Sequence, residues 1–176
     1  VPKLNAAGRL GNADRAFRLL ISENAEEAAS LTEELISENT KRQAAEAEIT
    51  QQAMQPENLV TGEDDAVVVA LGTDWHPGVI GIVASRLTEK YGKPSFVLVK
   101  DSEDTAKGSA RSVKGFDLHK ALSGCAGLLE RFGGHEMAAG LGIRLENLRP
   151  FIDSLNKYGA EHSQYITEPP NLEIDA

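Results

Sequence analysis

Two short stretches carry groups that could grip a phosphate. In Arg131-Phe132-Gly133-Gly134-His135-Glu136-Met137-Ala138-Ala139-Gly140 the paired glycines remove two side chains. Backbone N–H groups can then approach an anion, and a helix beginning after them would aim its positive end at the same place. His135 would be the polar finger of such a loop. The competing reading makes Gly133-Gly134 the left-handed cap of a preceding helix and His135 an ordinary residue of the next turn. A second stretch, Lys107-Gly108-Ser109-Ala110-Arg111-Ser112, favours phosphate. On an extended strand Ser109 and Arg111 point to one face, where a hydroxyl and a guanidinium can hold a single phosphate.

The charge distribution allows this. The net charge of −9 argues against nucleic acid only if it is evenly spread. Between Glu23 and Asp65 the only bases are Lys41 and Arg42, whereas from Lys107 to Arg144 six bases face Asp117, Glu130 and Glu136. A local basic face can bind an anion on an acidic protein. The single cysteine, Cys125, can make neither a disulfide framework nor a zinc cluster. It reads as a buried structural thiol, and a reducing cytoplasm fits it. With 41% apolar residues and no run long enough to span a bilayer, the chain has no membrane partner to expect.

The elements that must position these groups follow from periodicity and punctuation. Gly8-Arg9-Leu10-Gly11 reads as a turn presenting Arg9. Asn12 can cap a short helix from Ala13 to Ile21, with Ala16, Leu19 and Leu20 on one face. Ala25 to about Gln55 has no Gly or Pro and is stopped by Pro56, so one long helix is expected. Ala28, Leu31, Leu35, Ile49 and Ala53 form its stripe, but Ser37 to Gln43 is polar all round, which suits a helix bridging two domains.

Ala66 to Leu71 and Ser95 to Lys100 are apolar runs of the kind found in buried strands, separated by a helix from Val79 to Tyr91 with Ile82, Val83 and Leu87 inward. His76, in the loop before that helix, is read as structural. Further strands are expected at Lys107–Ser112 and Leu141–Leu145. Helices are expected after Asp117, over Ala126–Arg131 leading into the glycine-histidine loop, and over Leu148–His162. The pattern predicts an α/β fold, a sheet with helices on its faces, preceded by a long connector helix. The start at Val1-Pro2 suggests an excised fragment, and Glu168 to Ala176 reads as a linker toward a further strand.

Asn5-Ala6-Ala7-Gly8-Arg9-Leu10-Gly11, Trp75-His76-Pro77-Gly78-Val79-Ile80-Gly81-Ile82-Val83-Ala84-Ser85-Arg86-Leu87, Lys107 to Ser112, Gly115-Phe116-Asp117-Leu118, and Phe132-Gly133-Gly134-His135 through Ala138-Ala139-Gly140 together resemble the RecJ family. These are single-strand-specific 5′-to-3′ DNA exonucleases of the DHH phosphoesterase superfamily, associated with DNA repair and recombination. The motifs match in order over nearly the whole chain.

The resemblance implies a division of the chain. Residues 1–22 would be the tail of an upstream metal-binding DHH domain, 23–57 a connector helix, 58–165 the DHH-associated α/β domain, and 166–176 a linker to an oligonucleotide-binding domain. It also implies single-stranded DNA as substrate, those two domains as partners in cis, and Mn or Mg in the full-length enzyme. The Asp-His-His signature is missing here, and His76, His119, His135 and His162 lack ligand spacing. The fragment is therefore expected to hold no cofactor and, alone, to be inactive. For the intact enzyme the family implies two-metal phosphodiester hydrolysis. In it Arg9, Ser109 and Arg111 would clamp phosphate, and His135 with the Gly133 and Gly134 amides would hold the scissile or an adjacent phosphate. Two alternatives stay open: a superfamily phosphoesterase acting on short oligonucleotides or cyclic dinucleotides, and a non-catalytic module that binds nucleic acid or a partner.

Overall fold

The computed structural model describes residues 2–10 and 13–162. Three helices come first: α1 (Pro2–Leu10), α2 (Asp14–Ile21) and the 29-residue α3 (Ala25–Ala53). Arg9 is therefore in the last turn of a helix, a correction to the turn expected at Gly8 to Gly11. The helix persists through Gly8 because Ala6 and Ala7 are wholly buried, Ala7 in a small cluster with Ala16 and Leu35 of the neighbouring helices. The expected Asn12 cap lies outside the described residues, and Ala13 precedes α2 without a side-chain cap. Leu20, assigned to the inner face of α2, is 70% exposed.

Asn24 caps α3 by accepting from the Glu26 and Glu27 amides. Leu31, Leu35, Ile49 and Ala53 are buried as the stripe requires. The polar middle of α3 is held by charge. Glu46 takes Arg42 at 2.5 Å and Arg86 at 3.0 Å, and Arg15 of α2 reaches Glu38.

A mixed five-stranded sheet of order β1-β2-β3-β5-β4 forms the domain that follows. Its strands are β1 (Val68–Gly72), β2 (Ser95–Lys100), β3 (Thr105–Arg111), β4 (Leu129–Gly134) and β5 (Ala138–Arg144). β1 and β2 are parallel and joined through α4 (Pro77–Tyr91), while the other pairings are antiparallel. Alternation sorts each strand between two cores. Val69, Phe96, Leu98, Ala110 and Ile143 face α5 (Leu118–Gly124) and α6 (Leu148–Glu161) with Phe116, Leu122, Phe151 and Leu155. Phe96 and Phe151 meet edge to face at 5.7 Å. Val68, Ala70, Val97 and Val99 face α4 and the end of α3 with Val79, Val83, Leu87 and Ile49. The expected fold class, helices on both faces of a sheet with a long helix before it, is the one observed.

The stretch Ala126–Arg131 departs from expectation. A single 3-10 turn at Ala126–Leu128 gives way to β4, so Gly133-Gly134 end a strand and lead into a hairpin. No helix follows them. Ladder pairing of Gly133 with Gly140 and of Gly134 with Ala139 supplies the hydrogen bonds that a lone helix of this glycine content could not sustain.

Candidate functional site

α4 packs against β1, β2 and β3, and beyond it the same face of β5 and β4 borders an open groove. The residues of that face follow from register. β3 contributes Lys107, Ser109 and Arg111, whose partners on β5 are Gly142, Gly140 and Ala138. Gly142 and Gly140 in turn pair with Arg131 and Gly133 of β4. The result is an open groove of ≈ 480 Å³ lined by Pro77, Ile80, Ser109, Lys107, Arg131 and Gly133, among others. Its floor is glycine and its walls are cationic.

Of the predicted clamp, Ser109 lines the groove and Arg111 lies one row further along the same face of β3. Arg111 Nη1 donates to Ser109 Oγ at 3.2 Å and to the Ala110 carbonyl at 2.8 Å. Both side chains press on the first half of α4, where a Cβ at Gly81 would stand 3.0 Å from Ser109 Oγ and 3.1 Å from Arg111 Nη2. Arg9 arrives from α1 and donates to the Gly78 carbonyl at 3.2 Å. A Cβ at Gly78 would lie 2.0 Å from the Arg9 carbonyl oxygen, so only glycine admits the end of α1 here. Burial first, and then the neighbouring charge of Arg9, hold the Arg111 guanidinium below its ordinary range. Among the described residues no carboxylate pairs with either arginine. Two like charges brought together without a counter-ion are the arrangement an anion would complete.

The other candidates lie across the sheet. Gly133 sits one strand beyond Gly140 in the row of Ser109, and a Cβ there would meet nothing within 4 Å. Packing does not demand glycine at this position. Gly134 differs: its φ of 151° and a Cβ position 2.4 Å from the Ala138 carbonyl oxygen make it a backbone requirement of the hairpin. His135 is at the hairpin tip, exposed, its amide donating to the Ala138 carbonyl at 2.8 Å. The tip is held in place because the Met137 carbonyl accepts from the Ser112 amide and the Glu136 carbonyl from the Leu118 amide at the start of α5. Ala138 separates His135 from Arg111.

His76 is structural: it caps α4, its Nδ1 accepting from the Gly78 amide at 3.0 Å. Cys125 is buried, and desolvation pushes its thiol up, as suits an inert packing residue. Lys107 and Arg131 received no site role from the sequence. Lys107 was legible from its two-residue offset to Ser109, but Arg131 required recognition of β4 as a strand. No group of three or more His, Cys, Asp or Glu side chains able to hold a metal ion occurs among the described residues. The described residues do not fit a metal centre. No helix is long and apolar enough to cross a membrane among them either.

Comparison with known proteins agrees with this architecture. Over 157 residues the chain is 41% identical to the single-stranded-DNA-specific exonuclease RecJ of Bacillus subtilis, an overlap of 89% of this chain and 20% of that protein. The RecJ of Thermus thermophilus is 35% identical over 174 residues, 98% of this chain and 25% of the relative. The crystal structure of Thermus thermophilus RecJ in complex with Mg2+ superposes with a TM-score of 0.80 at 35% identity, covering 91% of this chain and 24% of that one. The chain thus spans about a fifth to a quarter of the length of these relatives. Residues 64–161, which include the whole sheet and its glycine-floored groove, match the DHHA1 domain, and the chain belongs to that family.

Proposed function

We propose that this chain is the substrate-binding half of a RecJ-like, single-stranded-DNA-specific 5′-to-3′ exonuclease of DNA repair and recombination. The observation that carries the reading is the Arg9–Ser109–Arg111 cluster, cationic and without a carboxylate among the described residues, which adjoins a glycine-floored groove through Ser109. Similarity to RecJ over most of the chain supports the substrate class. The structures of Thermus thermophilus RecJ in complex with Mg2+ and Mn2+ support a divalent metal in the parent enzyme, on residues other than those of this groove.

In this reading Arg111 and Arg9 hold the terminal 5′-phosphate through charge-assisted hydrogen bonds, and Ser109 Oγ fixes its orientation. His135 contacts the scissile or adjacent phosphate from the anchored hairpin, and Gly133 leaves space for the strand to lie on the sheet. The chain contributes positioning and charge. Bond cleavage belongs to the metal-bearing part, so the 176 residues alone bind without hydrolysing.

The test is binding of this chain to a short single strand with and without a 5′-phosphate, at low and moderate salt, beside Arg111→Ala. Phosphate-dependent binding that falls at least tenfold in the variant is expected, since a hydrogen bond to a charged group is worth about 1.5–3 kcal/mol. Equal binding of both strands by both proteins would sink the clamp.

A further inference from the structure

The clamp adjoins the groove through Ser109, and the groove itself carries two cations with no assigned work. Lys107 of β3 pairs with Gly142 of β5, and Gly142 pairs with Arg131 of β4. Two cations therefore flank one glycine in a single row across three strands. Strands lie about 4.8 Å apart, so the two Cα atoms stand about 10 Å from each other, with a side-chain-free glycine between. The Arg131 side chain lies over that glycine: a Cβ on Gly142 would be 3.2 Å from its Cγ and 3.3 Å from its Nε.

Neither cation is committed elsewhere. Arg131 makes no ion pair among the described residues. Lys107 meets Asp101 at 3.5 Å with both side chains well exposed, a screened interaction that a better anion readily displaces. Rows on one face of a sheet repeat every two residues, about 6.7 Å, which is close to the interval between neighbouring phosphates on an extended single strand. The Lys107–Arg131 row is thus two intervals from Arg111. The row between them, Ser109–Gly140–Gly133, presents no side chain on β5 or β4.

We infer that Lys107 and Arg131 form a second phosphate site, gripping an internal phosphodiester two positions along the strand from the terminal phosphate held at Arg111. This deepens the groove reading proposed above and rests on it. The ligand is an extended single strand of at least three nucleotides. A 5′-phosphorylated dinucleotide carries only two phosphates and ends before the second site. The pair is a length gauge that separates a polynucleotide substrate from a dinucleotide.

The experiment is an NMR titration of the 15N-labelled chain with 5′-phosphorylated oligothymidylates of two and five nucleotides. It compares the native sequence, Arg111→Ala, Arg131→Lys and the double variant Lys107→Ala/Arg131→Ala, each first shown folded by its amide spectrum. The native chain should bind the pentamer at least tenfold more tightly than the dimer. The double variant should lose that increment while keeping its dimer affinity, and the slope of log K against log salt on the pentamer should fall by about 0.7 for each phosphate no longer neutralised. Arg131→Lys, which keeps the charge, should retain most of the increment. Pentamer binding unchanged in the double variant, with Arg111→Ala still impaired, overturns the second site and leaves the groove reading standing. An equal loss for dimer and pentamer reduces the pair to diffuse electrostatics and also overturns it. Absence of groove perturbation by either oligonucleotide at millimolar concentration overturns both readings together.

Discussion

Ser109 Oγ accepts a hydrogen bond from Arg111 at 3.2 Å, and both groups crowd the bare Cα of Gly81 on the facing helix. A close approach of α4 to the central strand of the sheet therefore coincides with the proposed clamp. Alanine is the better helix former by about 1 kcal/mol, so Gly81→Ala should hold or raise the melting temperature while displacing the clamp. Binding of a 5′-phosphorylated single strand should fall about tenfold, as expected for loss of one charged hydrogen bond. Anisotropy titration beside a thermal melt reads both effects.

Gly133 offers the same separation of fold from ligand on the opposite strand. It lies in β4, outside the left-handed region, with open space around it. Gly133→Val should stabilise the fold by about 0.5–1 kcal/mol, since valine suits a strand and loses less freedom on folding. The same substitution fills the groove floor and should weaken oligonucleotide binding. Stability gained with binding intact would show that the strand does not lie there.

Gly134→Ala should behave in the reverse manner. Its Cβ would fall 2.4 Å from the Ala138 carbonyl oxygen and 2.5 Å from Ala139 Cα, at a φ of 151°. A cost of about 1–3 kcal/mol is expected, read as a lower denaturation midpoint.

Glu46 joins the long helix to the sheet domain by holding Arg42 and Arg86 together, with its side chain 12% exposed. Glu46→Ala leaves the equally covered Arg42 without its carboxylate and should cost about 2 kcal/mol. Glu46→Gln, which preserves one acceptor, should cost less. Urea denaturation of the two variants gives the comparison.

Asp117 caps α5 by accepting from the Lys120 amide at 3.0 Å, and that bond, with the nearby ammonium of Lys120, holds its carboxyl below the ordinary value. The depressed carboxyl adds stability that is present above its unfolded value of about 3.9 and fades as pH falls through the folded one. The native protein should therefore lose stability below about pH 4 more steeply than Asp117→Asn, which keeps a capping oxygen without the charge. Melts between neutral and acid pH would show the two curves converging.

Legibility in the sequence tracked how local each cause was. Ser95–Lys100 was readable to the residue because a continuous apolar run between turn residues has one burial solution, and Asp117 announced α5 through its own side chain. A strand at Leu141–Leu145 was readable, but β4 and the Ala138–Gly140 start of β5 were missed because their glycines and alanines carry almost no strand preference. Their state is set by pairing, of β4 with β5 and of β5 with β3, more than twenty residues away. Glycine also misled at Gly8, where burial of Ala6 and Ala7 overrides its tendency to turn. Ser109 and Arg111 could be placed on one face by alternation alone. The approach of Arg9 to them, through its hydrogen bond to Gly78 69 residues away in sequence, had no local signal.

Trp75 is the sole tryptophan of the chain, 4% exposed, and its indole Nε1 donates to Gln52 Oε1 near the end of the long helix at 2.7 Å. The protein thereby contains its own optical gauge. Emission from this one ring reports whether α3 is seated on the sheet domain, shifting to the red if the helix lifts and water reaches the indole. Any movement of α3 during the oligonucleotide titrations can be followed without a label, in the same cuvette and on the same sample.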